Sequence, residues 1–422
     1  MEIFLKSDKD TLSPLEIENA LKKSLEGRSL KKVLLIPPDF TRFYSNAGFI
    51  TSCYYNLLKD SAEVDVLPAL GTHDAMSKEQ CEEMFPGIPY DRFIYHNWRK
   101  DVVKIGEVPG EYISEITDGL WTDKVDVEVN KLIMDPSYDL ILSVGQVVPH
   151  EVIGMANHSK NLFVGCGGSS MINSSHMIGA VYGMERMMGK DFTPVRKVFD
   201  YGCEHLLKDR PIVYVLTVTT NPGDIIKTHG LFISEKRSAL EQAIALAQEK
   251  NITFVDKGIK KCVVYLDPKE FHSTWLGNKA VYRTRMAVAD DGDLIILAPG
   301  VTKFGEDGIV DQLIRKYGYV GRLNVLDAFR KNDDLKENMG AAAHLIHGSS
   351  DGRFRITYAV KKITKEEIKG VGFIPADYDE MVKKYDPAKL KIGYNTLESG
   401  EEIYFIPNPA LGLWIDKTRF SE

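Results

Sequence analysis

Residues 31–42 read KKVLLIPPDFTR, a short apolar run from Val33 to Ile36 closed by two prolines and opened into a polar loop. An apolar run of this length that ends on proline predicts a buried strand, because proline cannot donate to a sheet ladder. Downstream, Asn46 to Lys59 predicts a helix and Ala62 to Leu70 a second strand, which runs into Gly71-Thr72-His73-Asp74. Met76 to Phe85 predicts a further helix with Ser77 as its N-cap. Strand, polar loop, helix and strand again is the pattern of a parallel sheet with crossover helices. The alternation continues with strands over Phe93–His96, Tyr138–Gly145 and Pro211–Thr219, and helices over Met177–Met188 and Ser238–Lys250.

Near Asn251–Lys261 the pattern restarts. Lys260–Leu266 and Asp293–Gly300 predict strands, with a helix over Asn278–Ala289 between them. A chain of 422 residues exceeds one ordinary core. The expected architecture is therefore α/β in two domains: an N-terminal parallel-sheet (Rossmann-like) domain over residues 1–255 and a smaller α/β domain over 256–400. The tail, 401–422, is expected to be able to return to the first domain.

Composition bounds the function. Hydrophobic content of 44% and charged content of 27% are those of a soluble globular protein. A net charge of −7 disfavours nucleic acid as a partner. No apolar run approaches the length that spans a bilayer, and the first ten residues lack the apolar core of a signal peptide. Five scattered cysteines without CxxC spacing point away from a disulfide framework or zinc-thiolate site and towards a reducing cytoplasm.

Chemistry concentrates past three strand ends, where ligands bind in open α/β sheets. The loop after the first strand carries Asp39, Thr41 and Arg42; the next carries His73. The third stretch, Val147 to Gly179, holds His150, His158, Lys160 and His176 and the run Gly165-Cys166-Gly167-Gly168-Ser169-Ser170. Arginine suits a bidentate grip on a carboxylate or phosphate. Two histidines can serve as acid and base near neutral pH, a third can ligate a metal, and an unprotonated lysine is a nucleophile. Gly165, Gly167, Gly168 and Ser169 offer amides and a hydroxyl as phosphate sites do. Without GxGxxG spacing or a Walker lysine, that run alone is a weak nucleotide signature. Asp39 and Arg42 also fit a plain loop salt bridge, and His158 fits a loop residue better than a ligand. His344 and His347 are spaced i, i+3 but lack a nearby carboxylate for zinc.

Together, Asp39-Phe40-Thr41-Arg42, Gly71-Thr72-His73 and the spacing of His150, Lys160 and His176 resemble the nickel-pincer-dependent lactate racemase family and its 2-hydroxyacid racemase and epimerase homologues. The resemblance covers about residues 30–180. It implies a site between the two domains and a cofactor that is a pyridinium mononucleotide bearing a thioamide, a thiocarboxylate and nickel. By position, Lys160 is similar to the lysine that holds the cofactor covalently and His176 to the protein's nickel ligand. His73 and His150 resemble the acid/base pair, Arg42 the arginine that orients the substrate, and Asp39 an acidic partner there. Thr41 and Tyr282, the latter leading Tyr282-Arg283-Thr284-Arg285-Met286, fall at cofactor-binding places. A small 2-hydroxy acid is the implied substrate, and cofactor-maturation enzymes are implied partners.

Before Lys160 the family's glycine-rich segment is reduced to Gly154-Met-Ala-Asn-His-Ser159. In the second domain Arg283 and Met286 stand where the lactate enzymes have glutamine and lysine. With His272, Trp275, Lys279 and Arg285, they suggest a larger acid such as an aldonate. Two other readings use the same residues: a zinc or other metal-dependent hydrolase or lyase acting on a small carboxylate, and a non-catalytic carboxylate-binding protein.

Overall fold

A computed structural model describes residues 1–222, 225–410 and 412–420. The chain divides into two compact units, Met1–Ser175 with Met188–Asn251, and His176–Met187 with Ile252–Glu422. In the first, β1 (Glu2–Lys6), β2 (Lys32–Ile36) and β3 (Glu63–Val66) are followed by the hairpin β4 (Val102–Val108) and β5 (Val125–Asn130). Then come β6 (Leu140–Gln146), the two-residue pair β7 (Pro149–His150) and β8 (Gly154–Met155), β9 (Ile212–Thr220) and β10 (Lys227–Ser234).

Six of these strands make one sheet in the order β1-β10-β9-β6-β2-β3. Its β3, β2, β6 and β9 run parallel, and β10 and β1 close one edge antiparallel. Val33 to Ile36 are fully buried. Burying both faces is why β2 reads as a continuous apolar run without alternation. The connection after β2 leads to β3 on one side of it, while β6 lies on the other. The carboxyl ends of β2 and β6 therefore flank a topological switch point, where this kind of sheet opens a crevice.

The second unit has β11 (Ile252–Val255), β12 (Ile259–Tyr265), β13 (Val288–Ala298), β14 (Arg355–Val360), β15 (Ile374–Asp377), β16 (Gly393–Thr396), β17 (Glu402–Ile406) and β18 (Leu413–Asp416). Its six-stranded sheet has the order β15-β14-β13-β12-β17-β16, parallel except for β16, and β11 pairs with β18 in a separate ladder. The unit has an apolar core of its own around Val263, Leu297, Ala359 and Phe405.

Several expectations need correction. In the tail, β17 joins the second unit's sheet through β12, while β18 pairs with β11, Ile252–Val255, the last four residues of the segment expected as the first domain; its Leu411, Ser421 and Glu422 lie outside the described residues. Phe93–His96 forms only an isolated bridge from Phe93 to Val66. The helix expected over Met177–Met188 instead spans Ser169–Tyr182. Asn278–Ala289 is split, with helix over Lys279–Thr284 and β13 starting at Val288. All five cysteines are free, and no helix among the described residues is long and apolar enough to cross a membrane.

Candidate active site

Three loops of the first unit converge beyond the parallel strands. After β2 the chain enters a 3₁₀ turn, Phe40–Ser45, in which Arg42 leaves helical geometry at φ −112° and ψ 31°. Asp39 precedes that turn and is buried, 6% exposed. Its Oδ1 accepts from the Thr41 hydroxyl at 2.5 Å, and its Oδ2 lies 2.5 Å from Nδ1 of His73. Burial raises the Asp39 carboxyl, but the bond and charge of His73, the Thr41 hydroxyl and the Arg42 charge outweigh it and hold the group below the usual carboxylate range. Asp39 and His73 are therefore a dyad, with the His73 ring more than half exposed.

His73 reaches Asp39 from a turn that begins at Gly71, where φ is +58°, a conformation that favours glycine. The Gly71 amide donates to the Gly165 carbonyl at 2.8 Å, which ties the second loop to the third. His150 lies on β7, buried, and its Nδ1 accepts from the Val152 amide at 3.1 Å.

Lys160 follows an unusual backbone. Asn157 (φ 68°) and His158 (φ 59°) both take left-handed conformations, which cost on the order of 1–3 kcal/mol each away from glycine. Arg196, 1% exposed, holds this loop: it donates to the carbonyls of Met155 (2.7 Å) and Asn157 (3.2 Å) and to the Ser159 hydroxyl (2.8 Å). Lys160 itself is half-buried. Burial, then the Arg42 charge, lower its amine to about 8, against the opposing pull of Glu151 and Asp39. An appreciable fraction is thus unprotonated near pH 8, which makes Lys160 a nucleophile.

Gly167 and Gly168 are closely packed. A Cβ on Gly167 would stand 1.8 Å from the Phe163 carbonyl oxygen, and one on Gly168 would stand 2.2 Å from Glu128 Oε2. That carboxylate accepts from the Ser170 amide at 3.1 Å, so the start of the helix Ser169–Tyr182 already has its anion. His96 completes the anchoring, with Nε2 bonded to the Gly167 carbonyl and Nδ1 to the Asn130 amide. Ser169 is exposed. Gly167→Ala is expected to cost at least about 1–3 kcal/mol through backbone overpacking, read as a lower denaturation midpoint at unchanged slope.

His176 lies on the helix Ser169–Tyr182, in the part that groups with the second unit. Tyr282 also belongs to that unit. Its hydroxyl lies 2.6 Å from Nδ1 of His344, whose Nε2 meets the Tyr319 hydroxyl at 2.9 Å and whose ring stacks on Trp275. Arg285, expected to help shape the substrate pocket, is instead committed to the fold: it pairs with Glu185 and Asp351 and donates to the carbonyls of His347 and Ser349. Arg283 is buried, and His272 is exposed. Among the described residues, no three His, Cys, Asp or Glu side chains gather as a metal site of their own.

His158 is a packing residue, buried and stacked on Tyr214 with ring centroids 3.5 Å apart. Burial drives its pKa well below the ordinary histidine value. Sequence reading missed Glu151, Arg196 and Glu128. Glu151 adjoins His150 and was open to notice; Arg196 and Glu128 act on segments far away in the chain.

The first unit is thus an open α/β sheet whose switch-point loops present a carboxylate–histidine dyad, an arginine, a second histidine and a lysine of lowered pKa. Residues 9–188 match the family model of the lactate racemase N-terminal domain. That match is a similarity over a segment mostly in the first unit and leaves residues 189–422 uncovered. No curated protein sequence matches it. Among solved structures, it is similar to a protein from Thermotoga maritima at 22% identity, with 98% of this chain and 100% of that one aligned and a TM-score of 0.79. The lactate racemase apoprotein from Thermoanaerobacterium thermosaccharolyticum aligns at 16% identity over 94% of this chain and 92% of that one, with a TM-score of 0.70.

Proposed function

We propose that the chain is an isomerase that inverts C2 of a 2-hydroxy acid, with Lys160 as the covalent anchor of a nickel-bearing pyridinium mononucleotide. The observation that carries this reading is the lysine of lowered pKa set beside Arg42 and the Asp39–His73 dyad at one switch point. An amine of this kind would condense with a thiocarboxylate of such a group, with loss of water, to give the thioamide that tethers it, and a single histidine, His176, suits a metal held mainly by such a group. Thr41, Ser169 and Tyr282 are the proposed polar contacts to it. When bound, the group supplies a reversible acceptor for the C2 hydrogen.

The side chains supply the rest. The α-hydrogen of a 2-hydroxy acid is poorly acidic, so removal of the hydroxyl proton must accompany loss of the C2 hydrogen. His73 is the proposed proton acceptor on one face of the substrate, and Asp39 stabilises the imidazolium that forms. His150 serves the opposite face. Arg42 grips the substrate carboxylate through two parallel N–H bonds. Lactate and larger acids such as aldonates are both candidate substrates. We place the protein in the cytoplasm, where its free thiols would persist and maturation enzymes would supply the cofactor.

Two variants test the pair. His73→Ala and His150→Ala should each lower C2 inversion by about 10²–10⁴-fold, the usual worth of a positioned acid or base, without altering the mass that the cofactor adds to the chain. Chiral chromatography of the product reads the effect. Near-normal turnover in either variant would remove that histidine from the mechanism.

A further inference from the structure

His73 and His150 are held by partners of opposite kinds. At His73, Nδ1 faces the Asp39 carboxylate at 2.5 Å. An ionised carboxylate only accepts, so the hydrogen between them belongs to Nδ1 and the lone pair of the neutral ring is on Nε2. At His150, Nδ1 faces the amide nitrogen of Val152 at 3.1 Å. A backbone amide only donates, so Nδ1 is the acceptor and the ring hydrogen must be on Nε2. Glu151 Oε2 is 3.9 Å from the same nitrogen, beyond hydrogen-bond reach.

We infer that the resting chain holds the two histidines in opposite neutral tautomers, His73 as Nδ1–H and His150 as Nε2–H, with Asp39 and the Val152 amide as the positioning groups. The tautomers follow from the hydrogen bonds alone; their consequence rests on the isomerase reading. His73 offers a lone pair at Nε2 and takes the hydroxyl proton of a substrate directly, becoming an imidazolium beside Asp39. His150 offers an N–H, which donates a hydrogen bond to the substrate oxygen. It accepts a proton at Nε2 only after its own hydrogen has left that atom. The pair is therefore asymmetric at rest: the stereoisomer whose hydroxyl faces His73 reacts without rearrangement, and the other requires a proton shift at His150.

The test uses the full chain labelled with ¹⁵N-histidine and prepared without cofactor or substrate, in long-range ¹H–¹⁵N correlation spectra recorded above the imidazole titration range. Loss of signals in His73→Gln and His150→Gln assigns the two rings. The expected result is a protonated Nδ1 with a bare Nε2 at His73 and the reverse at His150. Finding both rings in the same tautomer, or either as an exchanging mixture, would overturn the inference. In Asp39→Asn the new amide can donate to Nδ1, so His73 should convert to Nε2–H while His150 stays unchanged. In the loaded variant kcat should fall at least about tenfold with little change in KM, as when a carboxylate orienting a catalytic imidazole becomes an amide. An unaltered His73 pattern would remove Asp39 from this role, and if the variant does not fold, the wild-type spectra still decide the tautomers. Because those spectra need neither cofactor nor substrate, their failure and a failure to observe C2 inversion are separate results.

Discussion

Lys160→Ala is expected to fold normally, keep the mass of the bare chain when co-produced with cofactor-synthesis enzymes, and lose C2 inversion by at least about 1,000-fold. The magnitude follows from placement, since fixing a reacting group in register is worth up to about 7–11 kcal/mol. Intact mass spectrometry and metal analysis read the outcome directly. Wild-type chain should carry a nickel-containing adduct and the variant none; an adduct on both would end the assignment of Lys160 as the anchor. The electrostatics add a check that needs no cofactor. With the amine lowered to about 8, acylation of Lys160 by a small amine-directed reagent should rise as the pH increases through that value, because the reactive form is unprotonated. Arg42→Ala removes a neighbouring positive charge that disfavours the ammonium form, so the midpoint should move to higher pH. A downward shift would contradict the account.

Arg196→Met carries the largest expected loss of stability, about 3–5 kcal/mol, since each buried acceptor left without its donor costs about 1–3 kcal/mol. The guanidinium is 1% exposed and serves three acceptors along Met155–Ser159. Methionine fills part of the volume but leaves those acceptors without their donor, and removes the side chain that ties the carbonyls around the left-handed Asn157 and His158 together. Urea denaturation should show the midpoint fall. In chain that remains folded, Lys160 should lose the sharp pH profile of its acylation, since the loop that buries it loosens. A cost under about 1 kcal/mol would mean that the loop holds itself.

The parallel sheet was legible because β2 and β6 are short, mostly apolar runs bounded by proline or polar loops, and because a helix follows each loop of the early strands. The switch-point residues were legible for the same reason: Asp39, Arg42, His73, His150 and Lys160 all lie just past strand ends. Long-range partners were not. The helix Ser169–Tyr182 starts eight residues before its expected beginning because Gly167, Gly168 and two serines read as loop, while the carboxylate that satisfies its first turn comes from Glu128 on β5. The place of the tail is decided by pairing of β17 with β12 and of β18 with β11, which no local pattern encodes. Arg285 looked like a substrate group because it is charged and close to Tyr282; its partners, Glu185 and Asp351, are distant in sequence.

Retention of label at C2 tests the central claim most directly. The cofactor-loaded chain would be incubated in ordinary water with single stereoisomers of lactate and gluconate deuterated at C2, and the products resolved by chiral chromatography with mass detection. Inversion of at least one acid with the deuterium kept at C2 is the predicted result, because the hydrogen that leaves is the one that returns. Inversion with deuterium washed out into water would contradict the hydride route, and no inversion of either acid by a chain shown to carry its Lys160 adduct would contradict the proposed substrate class.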